Sequence, residues 1–99
     1  MDHKKIKRLV TEGKVEAVAS ILANGSHKLA NWHELPDAII LLLKGYSESK
    51  ISEKRVVGIF EHLELNGIFS PEFKRRVREL NSYADLKESL SWRITFKLR

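Results

Sequence analysis

Apolar residues recur along the chain three and four positions apart, in short segments punctuated by glycine, asparagine and serine, so the dominant expectation is a set of amphipathic helices. Ile6, Leu9 and Val10 form the first stripe, with Lys4, Lys5, Lys7 and Arg8 facing water and Asp2 placed to cap the helix. Gly13 ends that segment. A second helix is predicted over residues 14–23, where Val15, Val18, Ala19 and Leu22 share a face and Asn24-Gly25 supplies the stop. Together they predict a helical hairpin, followed by a short turn that Ser26 opens and that runs through His27 to Asn31.

Pro36 and Asp37 stand where the first turn of a helix tolerates proline and welcomes negative charge. The run behind them, Ala38-Ile39-Ile40-Leu41-Leu42-Leu43, is apolar on every side, which predicts a central helix covered all round and closed by Lys44-Gly45. After a polar linker over 47–50, Ser52 caps a helix with Glu53 in its first turn. Val56, Val57, Ile59, Phe60 and Leu63 form its stripe and Asn66-Gly67 its end. Gly58 inside that helix costs about 1 kcal/mol relative to alanine, which points to a close helix crossing there. Ser70-Pro71-Glu72 combines a capping serine, a proline at the first helical position and an acid near the positive end of the dipole. The helix it opens turns Phe73, Val77 and Leu80 inward, Asn81-Ser82 is read as its break, and residues 85–90 offer one more short helical piece.

The period then changes: Trp92, Ile94, Phe96 and Leu98 alternate with Arg93, Thr95, Lys97 and Arg99. Alternation is the pattern of a half-buried strand, which would need a partner strand near Ile68-Phe69 or on another chain. The other reading is a helical or irregular tail that packs Trp92 and Phe96 on the core. The fold class is thus mostly α, a compact bundle of about five or six short helices with either a C-terminal β-strand or such a tail. No repeat, low-complexity run or long linker divides the chain, so one domain is expected over residues 1–99.

Composition narrows the chemistry. The chain has no cysteine, which removes disulfides, thiolate nucleophiles and cysteine-based zinc sites and suits a reducing compartment. The basic first residues resemble a secretory n-region in charge, but Thr11, Glu12, Lys14 and Glu16 interrupt the apolar run a signal peptide needs. The apolar run over 38–43 is too short to span a bilayer, so a cytoplasmic location and no membrane contact are expected. Asn24-Gly25-Ser26 matches a glycosylation acceptor, which has no consequence without export. His3, His27, His33 and His62 lack the i, i+4 spacing of a helical zinc site, and neither His33-Glu34 nor any nucleophile or phosphate loop builds a catalytic group. No enzyme activity, cofactor or metal is expected.

Eighteen Lys and Arg against thirteen Asp and Glu give a net charge of +5. The basic residues form three groups: Lys4 and Lys5 with Lys7 and Arg8; Lys74, Arg75, Arg76 and Arg78; and Arg93, Lys97 and Arg99. Converging in space, they would make a surface able to neutralise phosphates; dispersed, they are solvated helix faces. Trp32, Tyr46, Tyr83 and Trp92 lie near element ends, and an exposed Trp32 or Trp92 would be an anchor for a partner. These residues support a non-catalytic adaptor or regulatory module that binds another protein, or a further copy of itself, through a helical face or the terminal strand. The rival is DNA or RNA binding through the arginine-rich helix over 73–80.

Three partial likenesses accompany this reading. Residues 52–69, through Val56-Val57, Phe60, Leu63 and Gly67-Ile68-Phe69, resemble the recognition helix and following strand of winged-helix DNA-binding domains, which implies that the terminal stretch is a wing strand. Glu12-Gly13-Lys14-Val15-Glu16-Ala17-Val18 with Ile21-Leu22 and Asn24-Gly25 is similar to the helical half of one ankyrin repeat, without the Thr-Pro-Leu-His opening or a second copy. Tyr46-Ser47 with Gly67-Ile68 and Phe73 is similar to the helical repeats of RecX-type recombination regulators.

Overall fold

The amphipathic stripes close onto one another around a central helix in a computed structural model that describes residues 3–24 and 32–99. The described residues form α1 (His3–Thr11), α2 (Val15–Ala23), α3 (Leu35–Ser47), α4 (Glu53–Leu65), α5 (Pro71–Arg78), α6 (Asn81–Leu86) and α7 (Trp92–Lys97), with a 3-10 turn at Lys87–Ser89 and no strand. The expected cap at Asp2, the stop at Gly25 and the turn from Ser26 to Asn31 lie outside the described residues.

Gly13, at φ +70°, supplies the left-handed turn that separates α1 from α2, and Lys14 N–H closes it by donating to the Leu9 carbonyl at 3.0 Å. The hairpin buries Ile6, Val15, Val18, Ala19 and Leu22. Pro36 lies in the first turn of α3, as its rigid φ and missing N–H favour. This helix packs against α1, α2, α4, α5 and α6, and Ala38, Ile39, Leu42 and Leu43 are fully buried. Its central position follows the apolar run, but Ile40 and Leu41 are half-buried, so one edge of α3 reaches the surface.

Nor does α3 close at Lys44-Gly45. It continues to Ser47 because Gly45 is where α2 crosses it: a Cβ at Gly45 would stand 2.7 Å from Cγ1 of Val15. The helix ends two residues past Gly45, and the turn that follows has Ser49 in the left-handed region at φ 62° and Lys50 N–H donating to the Gly45 carbonyl at 2.7 Å. The close crossing expected at Gly58 is therefore made by Gly45; around Gly58 there is open space.

Two capping serines act as read. Ser52 Oγ accepts from Arg55 N–H at 3.2 Å and Ser70 Oγ from Phe73 N–H at 3.1 Å. Gly67-Ile68-Phe69 is a turn, not a strand: Gly67 sits at φ +71° and Ile68 N–H donates to the Leu63 carbonyl at 2.9 Å. Phe69 then packs between Phe60 and Phe73, with ring centroids 5.0 and 5.4 Å away. The break after α5 falls at Leu80, which is extended (ψ 138°), and Asn81 and Ser82 begin α6 instead of ending α5. Small polar residues favour helix starts as well as stops, so the pair marked a boundary one residue late.

The terminal strand is absent. Residues 92–97 form α7, capped by Ser91 Oγ, which accepts from Ile94 N–H at 3.4 Å. Positions two apart on a helix point about 200° apart, so four alternating apolar residues divide into two i, i+4 pairs on opposite sides. Ile94 and Leu98 enter the core completely, whereas Trp92 and Phe96 remain 66% and 52% exposed. The tail is helical, but its aromatics do not pack on the core. Without strands at 67–69 or 92–98, neither strand implied by the winged-helix resemblance is present among the described residues.

The two glycines give opposed expectations. Gly45→Ala forces Val15 aside in a packed crossing and should lower stability by about 1 to 3 kcal/mol, whereas Gly58→Ala adds a methyl in open space and should raise it by about 0.5 to 1 kcal/mol. Urea unfolding followed by circular dichroism reads both.

Candidate binding surface around α7

Two anchors seat α7. Its aliphatic side packs on α4 through Ile94, and Arg78, at the end of α5, donates from Nη1 to the Leu98 carbonyl at 2.7 Å. A guanidinium there satisfies a carbonyl left over at the helix end and complements the negative end of its dipole. Arg93 adds a looser pair with Glu53, at 3.7 Å. On the outward side the Trp92 and Phe96 rings stack, with centroids 5.1 Å apart and planes inclined by 27°. Trp32, the other tryptophan, is buried in the core, so of the two tryptophans only Trp92 is exposed.

Beside the aromatic pair a groove of about 620 Å³ runs between the end of α5, α6 with its 3-10 turn, and α7. Arg78, Lys87 and Arg99 line it together with Tyr83, Trp92, Thr95 and a single acid, Glu88. Tyr83 is nearly buried, and burial holds its phenol above the ordinary value of 10.0, an effect that the nearby Arg78 and Arg99 partly offset. The hydroxyl thus keeps its proton at neutral pH and stays a donor; it makes no hydrogen bond to another described residue.

The basic groups meet only in part. Arg78 and Arg99 come together at the groove, with Trp92 as one wall. Lys74 instead approaches Glu64 at 3.8 Å, and Arg75 lies between Glu72 and Glu79 at 3.7 and 3.1 Å. Arg76 is exposed without an acidic partner among the described residues. Arg93 and Lys97 directly follow Trp92 and Phe96 in sequence, and Lys97 is half-buried. Lys4 and Lys5 are exposed on α1, which packs on α2 and α3, and neither lines the groove. Sequence reading missed Tyr83 and Lys87 as members of this site. Their spacing of four was the available signal, since it places both side chains on one helical face.

Elsewhere, a mainly apolar cleft between α2 and α4 is lined by Ala23, Gly58, Ile59 and His62. Arg55 hydrogen-bonds Glu16 across these helices and holds its carboxyl below the usual carboxylate range. Among the described residues no group of three His, Asp or Glu is placed to hold a metal ion, and no helix is long and apolar enough to cross a membrane. No protein-family model, curated protein or solved structure matches the chain.

Two measurements probe this geometry. Arg78→Met removes the donor to Leu98, so amide exchange in α7 should accelerate and stability should fall by about 1 kcal/mol. Tyr83 should give an alkaline signature: because the folded value is raised, the unfolded chain loses its proton first. The stabilising contribution is complete below pH 10.0 and is lost as pH rises through the folded value. Unfolding free energies of wild type and Tyr83→Phe should therefore run parallel below that range and separate above it, with wild type falling.

Proposed function

We propose that this chain is a non-catalytic adaptor or regulatory module that binds another protein through the outward face of α7. The observation that carries the reading is the stacked, exposed Trp92–Phe96 pair on a helix whose opposite side is anchored by Ile94, Leu98 and Arg78. Aromatic residues bordered by arginine are the commonest energetic centres of protein interfaces, and a rigid support lowers the entropy lost when they dock. The partner we infer is acidic, since Arg93 and Lys97 each follow one of the rings along α7 and Arg99 lines the adjoining groove with Trp92, in a chain of charge +5. The same charge opposes pairing of this face with a second copy of itself. A cysteine-free chain suits a reducing, cytoplasmic setting, where we place this activity.

Nucleic-acid binding through α5 is the less favoured reading. A phosphate backbone calls for a row of available cations, and Lys74 and Arg75 are already engaged with Glu64 and with Glu72 and Glu79.

Proteins retained by the immobilised chain but not by Trp92→Ala/Phe96→Ala identify the partner, which is then purified for calorimetry. Truncating Trp92 is expected to weaken that complex by about 2 kcal/mol or more with the helical circular dichroism unchanged. Unchanged affinity in the double variant removes α7 from the interface. Salt-sensitive binding of an oligonucleotide that is lost in Arg76→Gln would instead promote the α5 reading.

A further inference from the structure

We infer that the groove between α5, α6 and α7 is a carboxylate-reading subsite, taking an acidic side chain of a partner peptide whose neighbouring apolar residue lies on Trp92. The inference rests on the protein-binding reading of α7 and names the chemistry that reading selects.

Three features define the occupant. Arg78, Lys87 and Arg99 bring three positive charges to one concavity that contains only Glu88 as an opposing acid. Arg78 uses Nη1 to hold the Leu98 carbonyl, which fixes the guanidinium plane and leaves its remaining donors without a hydrogen-bonding partner among the described residues. A guanidinium held this way is preorganised for a planar carboxylate. Tyr83 adds a hydroxyl donor at the groove wall, rigid because its ring is buried. The wall formed by Trp92 is apolar and continues onto Phe96 through the stacked pair, so charge and aromatic surface lie side by side. A peptide with one acidic residue next to an apolar one satisfies both. A polynucleotide would bring successive phosphates past Glu88, and two of the α5 cations that could follow such a backbone, Lys74 and Arg75, are paired with acids.

The test uses the full chain and three probes: an acetylated, amidated peptide alternating glutamate with leucine, its counterpart with glutamine for glutamate, and oligodeoxythymidine. Binding is followed by NMR shifts of the Trp92 indole N–H and of the Tyr83 ring. The glutamate peptide should give saturable shifts at both residues and bind about tenfold or more tightly than the glutamine peptide. Lys87→Gln/Arg99→Gln, two exposed changes that leave the Arg78 anchor in place, should erase that preference. Equal binding of the two peptides with shifts at Trp92 alone overturns the carboxylate subsite and leaves the aromatic docking face standing. No saturable shift with the glutamate peptide up to about 1 mM overturns the subsite as well. Oligodeoxythymidine binding at these residues in preference to either peptide overturns both.

Discussion

The crossing of α2 over α3 at Gly45 is the contact on which the rest of the arrangement depends. Only a backbone without a Cβ lets Val15 approach so closely, and the same bare position lies against Ile51, whose burial fixes where the chain enters α4. With α4 placed, Phe60 receives Phe69, Phe69 receives Phe73, and α5 is oriented by that aromatic series. The end of α5 presents Arg78 to the Leu98 carbonyl, while α4 supplies the surface on which Ile94 packs. The outermost helix is therefore positioned by a sequence of contacts that begins at a glycine in the innermost one.

That dependence gives meaning to what α7 leaves outside. Burying a large aromatic side chain is favourable by about 1.5 to 3 kcal/mol, so a tail that inserts Ile94 and Leu98 while exposing Trp92 and Phe96 forgoes a substantial gain. Single exposed apolar residues such as Leu65 are ordinary on any surface. Two adjoining aromatics, stacked on each other and beside a basic groove, form a contiguous patch of the kind associated with recognition.

Much of this was legible in the sequence wherever a local rule has one structural outcome. Ser52 and Ser70 each had a single neighbouring N–H to cap, and Gly13 and Gly67 stood where a left-handed residue was required. The misreadings share a different character: each involved a signal with two outcomes that only tertiary packing decides. Gly45 can stop a helix or admit a neighbour, and Val15, thirty residues earlier, selects the second. Asn81-Ser82 can end one helix or start the next. The alternation from Trp92 to Leu98 satisfies a strand with one apolar face equally as well as a helix with two, because four positions return to one side in both geometries. The capping serine at Ser91 was the discriminating residue, since a strand has no use for it. The groove was the least legible feature, because Arg78, Tyr83, Lys87 and Arg99 come from separate elements and meet only after α7 folds back.

Charge shows why a count of basic residues is a weak guide to function. The segment 74–78 equals 4–8 as the densest in arginine and lysine, yet folding assigns Lys74 and Arg75 to acids of α4, of α5 and of the C-cap of α5 and turns Arg78 into the clasp of α7. Exposed pairs of this sort stabilise little, but they lower the potential that a phosphate backbone would encounter. Lys87, isolated in sequence between Leu86 and Glu88, comes to stand beside Arg78 and Arg99 instead. In the proposed reading, recognition depends on the local excess in the groove next to Trp92, where field and apolar contact would act on the same ligand, and not on the +5 distributed over the whole surface.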